Sequence, residues 1–198
     1  MNRLELDKRA LRQVVKETKT SVSVDERHIE QMMVMTHIES QMVWINAHTI
    51  LMYHALPDEL PTGGMIDRWQ TLGKRVVLPR VAGETLEIAD IACGLSTDNR
   101  YHILEPQGQP ISPDEVELAI VPAVAVDPHG HRLGRGGGYY DRLLPLLHCP
   151  TVVAVMSCQV FDHVPFDDAH DCPVNAVVTR DGWINTDERL SPVECSKH

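Results

Sequence analysis

The sequence contains no apolar run that approaches the roughly 20 residues of a membrane-spanning helix, and its N-terminal stretch lacks the apolar core of a signal peptide. Its five cysteines are odd in number and include no Cys-x-x-Cys pair, which favours reduced thiols over a disulfide framework. The eleven histidines follow no zinc-ligand spacing. We therefore expect a cytoplasmic protein without a membrane partner.

Basic residues are fewer than acidic ones. The chain has 18 Lys and Arg and 28 Asp and Glu, which gives a net charge of −10. A nucleic-acid partner is not expected, since a phosphate backbone is bound by a basic face. The length of 198 residues suffices for one α/β domain with a full core. We assign that domain to residues 1–186, followed by a polar tail at 187–198, and we expect a monomer.

Alternating strand and helix patterns fill the chain and predict a layered α/β sandwich with a largely parallel sheet. Helical spacing at 4–19 places Leu4, Leu11, Val14 and Val15 on the apolar side. A second helix is predicted over 26–45, where apolar residues including four methionines indicate packing throughout. A third is predicted over 64–72, with Leu72 among its inward residues. Short apolar runs predict the strands 49–53, 75–79, 86–91, 151–156 and 176–179.

The most informative pattern lies in the middle of the sequence. The apolar run 118–126 predicts a buried strand, in which Pro122 predicts a bulge or a locally unpaired edge. A glycine-rich loop at 134–138 follows, and then a predicted helix over 140–147. Glycines let backbone N–H groups approach an anion, and a helix N-terminus adds partial positive charge. The pattern favours phosphate binding, with a flexible turn as the alternative, although it matches neither the P-loop nor the dinucleotide fingerprint.

The stretch Arg132-Leu-Gly-Arg-Gly-Gly-Gly-Tyr-Tyr-Asp141 resembles the signature of the 5-formyltetrahydrofolate cyclo-ligases, also called methenyltetrahydrofolate synthetases. Shorter matching pieces lie in the same order along residues 5–184, namely Lys8-Arg-Ala-Leu-Arg12, Asp58-Glu59, Leu78-Pro79-Arg80, Glu105-Pro106, and His170-Asp171 before 177–179. The resemblance implies a Rossmann-like three-layer α/β fold related to the ribose-phosphate isomerase and CoA-transferase group. It also implies conversion of 5-formyltetrahydrofolate to 5,10-methenyltetrahydrofolate, with ATP giving ADP and phosphate and with Mg²⁺ as the metal.

The family contacts ATP through its first helix and its glycine loop. Lys8 and Arg12 stand at the positions of a family Lys and Arg that contact ATP, whereas from the residues alone their side of the helix reads as a solvated basic face. The resemblance therefore assigns ATP binding to Lys8, Arg12, Arg132, Gly134, Arg135, Gly136, Gly137, Gly138 and Tyr140.

The same resemblance assigns folate binding to His54, Glu59, Tyr101, Gly136, Gly137, Gly138 and Tyr139. Glu59 is expected to accept hydrogen bonds from the pterin, although by itself it reads as part of an exposed turn. Tyr101 stands where some members carry Trp, and its ring is expected to stack on the substrate.

Catalytic roles are expected for Arg135, Tyr139 and Tyr140, although the two tyrosines otherwise read as core residues. Asp141 and Asp171 are the candidate Mg²⁺ ligands, because a hard cation prefers carboxylates. The alternative for Asp141 is a carboxylate that favours the helix N-terminus.

Two other functions fit parts of this pattern. A non-catalytic folate- or nucleotide-binding homologue would keep the loop without turnover. A sugar-phosphate isomerase on the same architecture would need a carboxylate base beside a phosphate site and no ATP. The paired basic residues Lys8 and Arg12 argue against the isomerase, since they exceed what a monophosphate requires.

Overall fold

A computed structural model describes residues 3–97 and 103–187 of the chain. Its strands are, in chain order, β1 (Thr49–Leu51), β2 (Arg75–Ala82), β3 (Thr85–Asp90), β4 (Leu95–Ser96), β5 (Glu105–Pro106), β6 (Pro110–Ile111), β7 (Leu118–Val121), β8 (Ala125–Val126), β9 (Arg132–Leu133), β10 (Thr151–Ala154), β11 (Ala176–Thr179) and β12 (Gly182–Asn185). Its α-helices are α1 (Arg3–Lys19), α2 (Val24–Glu39), α3 (Met42–Asn46), α4 (Gly63–Thr71) and α5 (Tyr139–Leu143).

Eight of these strands form one mixed sheet with the order β12-β11-β10-β7-β1-β2-β3-β6. The five central strands, from β11 to β2, pair in parallel, whereas β12, β3 and β6 pair antiparallel at the two edges. The predicted α/β class and largely parallel sheet are therefore confirmed. The edge strands β6 and β12 are partly exposed. The central strands β1, β7, β10 and β11 are buried along their whole length.

The sheet has two buried faces, because successive side chains of a strand point to opposite sides. Ile50 of β1 packs into one core with Val34 and Ile38 of α2 and Trp69 of α4. Leu51, the next residue, packs into the other core, which includes residues of α5 and of the turn after it. Helices thus cover both faces, and the expected three layers are present. The first helix joins a third, smaller core at the β8–β9 hairpin.

The second predicted helix is wrong in both its extent and its packing. It begins at a capping box formed by Ser23 and Glu26 and ends at Glu39, and a separate short helix, α3, follows. Ile29 is 51% exposed and Met32 is 63% exposed, because Val34 and Ile38 fix which side of the helix meets the sheet. Five apolar side chains on this part of the chain contradict the prediction in the same way, namely Ile29, Met32, Met33, Met42 and Ile45.

Two further apolar assignments are wrong. Val14 of α1 is 48% exposed and Leu72, just after α4, is 49% exposed, whereas Val15, Met65 and Trp69 are buried as predicted. Helical spacing alone places both residues near the edge of an apolar stripe, and tertiary packing decides whether an edge position is covered.

The predicted strand over 118–126 is divided at Pro122. Its first part, β7, belongs to the main sheet, whereas its last two residues form β8, which pairs with β9 in a separate antiparallel hairpin. Proline has no N–H to donate, so the ladder ends where Pro122 begins.

The predicted helix over 140–147 is shorter than expected. The five-residue helix α5 is followed by a 3-10 turn at Leu144–Leu146, since Pro145 cannot continue an α-helix. A turn at Asp181-Gly182 joins β11 and β12, which pair antiparallel. Of the predicted polar tail at 187–198, only Asp187 is described.

Across the described residues, no helix is both long and apolar enough to cross a membrane.

Candidate functional site

A cleft of about 640 Å³ lies at the carboxyl ends of the central parallel strands. The segments that follow β1 and β7 contribute Tyr53, His54 and Pro122 to its walls, as expected for ligand sites in α/β sheets. Every predicted site residue that the structure describes lines this cleft: Lys8, Arg12, His54, Glu59, Arg132, Gly134, Arg135, Gly136, Gly137, Gly138, Tyr139, Tyr140, Asp141 and Asp171. Tyr101 lies outside the described residues.

The glycine loop joins the hairpin strand β9 to helix α5. Gly136 has φ 102° and Gly138, at the start of the helix, has φ 65°, which are conformations that only glycine adopts without strain. Gly137 lies so close to the ring of Tyr139 that a Cβ atom there would be 2.9 Å from its Cδ2. The loop therefore depends on glycine at these three positions. Because α5 has only five residues, its dipole is weak and positive charge must come from side chains.

Arg12 connects the first helix to this loop. Its Nε donates a hydrogen bond of 2.8 Å to the carbonyl oxygen of Gly134, and a Cβ atom at Gly136 would lie 3.5 Å from its guanidinium. On the other end of the loop, Arg142 donates to the carbonyl oxygen of Gly137 at 2.9 Å and stacks on Tyr139. One arginine therefore supports each side of the loop.

The neighbouring wall of the cleft contains two ion pairs. Lys8 Nζ lies 2.6 Å from Asp171 Oδ2, and Arg132 Nη2 lies 2.5 Å from Asp141 Oδ1. Burial lowers the pKa of Arg132, against the attraction of Asp141 and, to a smaller extent, of Asp171. The Nε of Arg132 is buried without a hydrogen-bond partner among the described residues. This wall thus brings together both predicted metal ligands and two of the predicted ATP ligands.

Two carboxylates suit a hard cation such as Mg²⁺, whose ligands in proteins are one or two carboxylates completed by waters and phosphate oxygens. In the described part of the chain, no group of three His, Cys, Asp or Glu side chains is arranged to hold a metal ion. The donors present therefore fit a magnesium ion that binds together with phosphates, and they do not form a self-sufficient protein cage.

The opposite wall is formed by a contact between the glycine loop and the loop after β1. Arg135 donates to Oε1 of Glu59 from Nε at 3.1 Å and from Nη2 at 2.9 Å, and to Oδ1 of Asp58 at 2.5 Å. Glu59 is buried, and its second oxygen accepts from the N–H of Leu56 at 3.0 Å. Burial opposes the charge of Arg135, but the attraction of Glu59 and Asp58 raises its pKa overall. The exposed-turn alternative for Glu59 is wrong, because both oxygens are engaged at a buried position.

A buried tyrosine, Tyr53, and a partly buried one, Tyr140, line the cleft. Burial raises the pKa of Tyr53 and of Tyr140, and the Tyr53 hydroxyl donates to the carbonyl oxygen of Ala154 at 3.2 Å. The ring of Tyr140 lies 5.8 Å from the guanidinium carbon of Arg132. Both phenols therefore stay neutral near pH 7 and keep a proton to donate. The core alternative also applies in part, since Tyr140 packs against one of the two main cores.

The sequence did not reveal the apolar wall of the cleft. This wall consists of Leu56, Val81, Leu86, Ile103 and Leu104, with the side chain of Glu105 beside them. Glu105 Oε1 accepts from the N–H of Val81 at 3.1 Å, which joins β5 to the end of β2. The alternation of β2 and β3 identifies them as strands, but only the tertiary structure places one end of that hairpin over a ligand site.

Asp127, which the sequence marks only as a turn residue, organises the approach to the loop. Its carboxylate is fully buried and accepts from the N–H groups of His129, His131 and Val164, at 3.0 to 3.1 Å. It also lies 3.0 Å from Nδ1 of His131, whose ring stacks on Phe166. The β8–β9 hairpin that carries Arg132 is therefore held by one carboxylate.

The sequence and the fold were compared with those of known proteins. The model of the 5-formyltetrahydrofolate cyclo-ligase family matches residues 5–180. A 5-formyltetrahydrofolate cyclo-ligase of Escherichia coli K12 is 35% identical over 147 residues, which cover 68% of this chain and 79% of that protein. The NMR structure of Aquifex aeolicus 5,10-methenyltetrahydrofolate synthetase superposes with a TM-score of 0.81 and 28% identity, covering 96% of this chain and 99% of that one. A synthetase structure from Mycoplasma pneumoniae, 20% identical with a TM-score of 0.72, covers 88% and 99% and shares the fold.

Proposed function

The chain belongs to the 5-formyltetrahydrofolate cyclo-ligase family, and we propose on this basis that it converts 5-formyltetrahydrofolate into 5,10-methenyltetrahydrofolate at the expense of ATP. The observation that carries the proposal is the convergence of the family signature, Arg132 to Asp141, with Lys8 and Arg12 of the first helix in one cleft. A polyphosphate and a second substrate both have room in a cleft of about 640 Å³.

We assign the ATP phosphates to the part of the cleft formed by α1 and the glycine loop. Phosphoryl transfer requires positioning and neutralisation of charge more than covalent chemistry. Lys8, Arg12 and Arg132 supply full positive charges there, and they do so in a protein with a net charge of −10. The local field of these side chains therefore has to outweigh the overall charge of the chain.

We assign the folate to the part of the cleft bounded by Glu59 and the apolar wall. A buried carboxylate is suited to accept hydrogen bonds from the N–H groups of a pterin, and the apolar residues are suited to cover its ring faces. His54 lies at the same end, directly after β1 and Tyr53. Tyr139, which faces the cleft from the start of α5, is the group we assign to the formyl oxygen.

The chemistry follows from the weak electrophilicity of an N-formyl group. The formyl oxygen attacks the γ-phosphorus, the bond to ADP breaks, and the phosphorylated oxygen becomes a leaving group. N10 then attacks the formyl carbon with loss of its proton, and the carbon–oxygen bond breaks to release phosphate. Arg135 and the loop amides are placed to stabilise the charge that moves through the transferred phosphoryl group.

Asp141 and Asp171 are the residues that would hold Mg²⁺ beside the phosphates, where the ion would neutralise phosphate charge. Each is paired with a cation, Arg132 or Lys8, so the carboxylates are oriented before any metal binds.

We further propose that one chain suffices for activity and that residues 1–186 act as a single domain, since residues from Lys8 to Asp171 of the same chain line one cleft. A cytoplasmic location is supported by Cys93, Cys149, Cys158 and Cys172, which are all free thiols.

The direct test is a spectrophotometric assay for methenyltetrahydrofolate with 5-formyltetrahydrofolate, ATP and Mg²⁺. We expect product only when ATP is present, with one ADP formed for each ring closed. Binding of both substrates without product would favour a non-catalytic homologue, and turnover of a sugar phosphate without ATP would favour an isomerase.

A further inference from the structure

A second cavity, of about 530 Å³, lies behind the glycine loop and shares Arg12, Arg135 and Val124 with the catalytic cleft. We call it the basic cavity. Its charged lining consists of Arg12, Lys16, Lys19, Arg27, Arg135 and Asp58. Five cations thus face one carboxylate, in a chain whose acidic residues outnumber its basic ones by ten.

Two cations of the basic cavity, Lys19 and Arg27, are held in place by contacts with other residues. The side chain of Lys19 is 4% exposed, and its Nζ lies 3.1 Å from Oδ2 of Asp58. Arg27 donates to the carbonyl oxygens of Pro57 and Lys19, at 2.5 and 3.3 Å. These two side chains are therefore already ordered in the folded protein, and ligand binding does not bear the free-energy cost of ordering them.

The described residues balance only part of the positive charge of the cavity, since Arg135 pairs with Glu59 and Asp58 and Lys19 pairs with Asp58. Asp58 is shared between Lys19 and Arg135, and the attraction of these two cations outweighs burial and lowers its pKa. Lys16 has no ion-pair partner among residues 3–97 and 103–187. The Nε of Arg27 is buried and, within the same ranges, has no hydrogen-bond acceptor. A buried donor without an acceptor is uncommon in folded proteins, and an acceptor oxygen from a ligand would satisfy it.

We propose that the basic cavity is a second anion-binding site, distinct from the phosphate site of the glycine loop, that takes a phosphate or carboxylate group. Oxyanions offer several acceptor oxygens, which match the N–H donors of lysine and arginine. Neither an apolar group nor a cation would relieve the excess charge. Because the cavity shares Arg12, Arg135 and Val124 with the cleft, one end of a substrate bound in the cleft can contact it.

Two sources of such a group are chemically possible, and only the second rests on the proposed function. The first is free phosphate, either from solvent or as a released product. The second is the glutamate carboxylates of the folate substrate. Both would contact Lys16 and Lys19, and both would leave the loop amides of Gly136 to Gly138 free for another phosphate.

The site can be tested without any turnover, by NMR titration of the full-length ¹⁵N-labelled chain with inorganic phosphate at constant ionic strength. Backbone amides of Lys16, Thr20 and Arg27 report the basic cavity, whereas those of Gly136 and Gly138 report the cleft. We expect saturable shifts at both sets in the wild type. In Lys16→Gln/Lys19→Gln, the dissociation constant at the basic cavity should rise about tenfold or more, with the loop amides still responding.

Two further variants serve as controls for this titration. Arg9→Gln removes the same charge from the same helix at an exposed position that lines neither cavity, and it should titrate as the wild type does. Lys16→Gln alone leaves the ion pair of Lys19 and Asp58 intact, so it stays informative if the double variant unfolds, and we expect it to weaken binding by about threefold.

The two sources are distinguished by titration with 5-formyltetrahydrofolate and with the analogue that lacks its glutamate. Shifts at Lys16 and Thr20 with the first compound alone would assign the site to the substrate carboxylates. Shifts with phosphate but with neither pterin would assign it to free phosphate. The proposal is overturned if no probe shifts these amides, or if the lysine variants bind phosphate as tightly as Arg9→Gln does. A lack of catalytic activity would leave the phosphate result unaffected.

Discussion

Arg135 donates both of its cleft-facing N–H groups to a single oxygen of Glu59, at 3.1 and 2.9 Å. Arg135, which we assign to the transferred phosphate, and Glu59, which we assign to the pterin, are therefore paired with each other before substrates bind. A pterin that uses Glu59 competes with Arg135, and displacement of Arg135 makes its charge available to the phosphate. Binding of the two substrates should consequently be coupled through this pair.

The first prediction concerns Glu59. Glu59→Gln should weaken folate binding by about tenfold or more, because an acceptor oxygen is replaced by a donor at a buried site. ATP binding by the free enzyme should stay the same or become tighter, since Arg135 then keeps only Asp58 as a charged partner. Calorimetric titration with each substrate separately measures both effects.

Asp58→Asn is the matched control, because it removes an Arg135 partner and keeps the carboxylate of Glu59. If Asp58→Asn weakens folate binding as much as Glu59→Gln does, the contact acts through Arg135 and Glu59 is not a pterin acceptor.

The second prediction concerns Arg12. Loss of one charge-assisted phosphate contact should remove about 1.5–3 kcal/mol, so that Arg12→Ala raises the KM for ATP by about 10- to 150-fold. The KM for folate should change far less. Arg9→Ala, on the same helix but outside the cleft, should have little effect on either value. Equal increases in the two KM values for Arg12→Ala would contradict its assignment to ATP.

The third prediction concerns the middle of the glycine loop. Gly137→Val introduces a side chain against the ring of Tyr139, where even a Cβ atom would lie 2.9 Å from Cδ2. Activity should fall by more than about a hundredfold, whereas the melting temperature should shift little because the loop lies above the sheet. Gly63→Ala is the control, since a Cβ there meets no atom within 4 Å. A Gly137→Val enzyme that folds and retains most of its rate would refute the role of the loop.

The fourth prediction concerns pH. Burial raises the pKa of Tyr140 above the ordinary value of about 10, so the unfolded chain releases this proton at a lower pH than the folded chain does. The stability that this group contributes is present below pH 10 and is lost as the pH rises toward the folded pKa. Tyr140→Phe should therefore lose less stability than the wild type between pH 9 and 11.

Urea unfolding at several pH values measures this difference. Tyr53 and Cys149 are unchanged in the variant, and burial raises their pKa values too, to about 11 for Cys149, so part of the alkaline loss should remain. Parallel stability profiles for wild type and Tyr140→Phe would contradict the burial of an un-ionised phenol.

The fifth prediction concerns Asp127. An asparagine at this position would keep one acceptor oxygen and turn an NH₂ group toward N–H donors, which should reduce stability by about 1–3 kcal/mol. Asp162→Asn changes an exposed carboxylate two residues before Val164, and it should change stability by less than about 0.5 kcal/mol. Chemical unfolding measures the free energy of unfolding of both variants. Equal losses would show that the buried contacts of Asp127 do not stabilise the fold more than an exposed carboxylate does.

The chemistry-bearing residues of the cleft were predictable because their types and order are unusual. Glycines with arginines on both sides have few purely structural roles, and Lys8 and Arg12 occur four residues apart on a recognisable helix. The side of a helix that meets the core was harder to predict. Ile29 and Met32 satisfy helical spacing as well as Val34 and Ile38 do, and only the position of the sheet decides between them.

Contacts between remote residues were not predictable from periodicity. Arg135 and Glu59 are separated by 76 positions, and nothing local to either residue indicates the other. The length of α5 was a smaller error with a local cause, since Pro145 lies within the predicted helix and should have limited it.

The pairing of Lys8 with Asp171 spans 163 positions of the chain. During synthesis, residues 8 to 171 must therefore all have left the ribosome before the wall that holds these two residues can form. Contacts of such long sequence separation form late and slow the folding rate. Nucleotide bound at this wall would hold the first helix against the last third of the chain, and hydrogen exchange in α1 should slow accordingly. A bound nucleotide would thus also link two segments of the chain that are synthesised at different times.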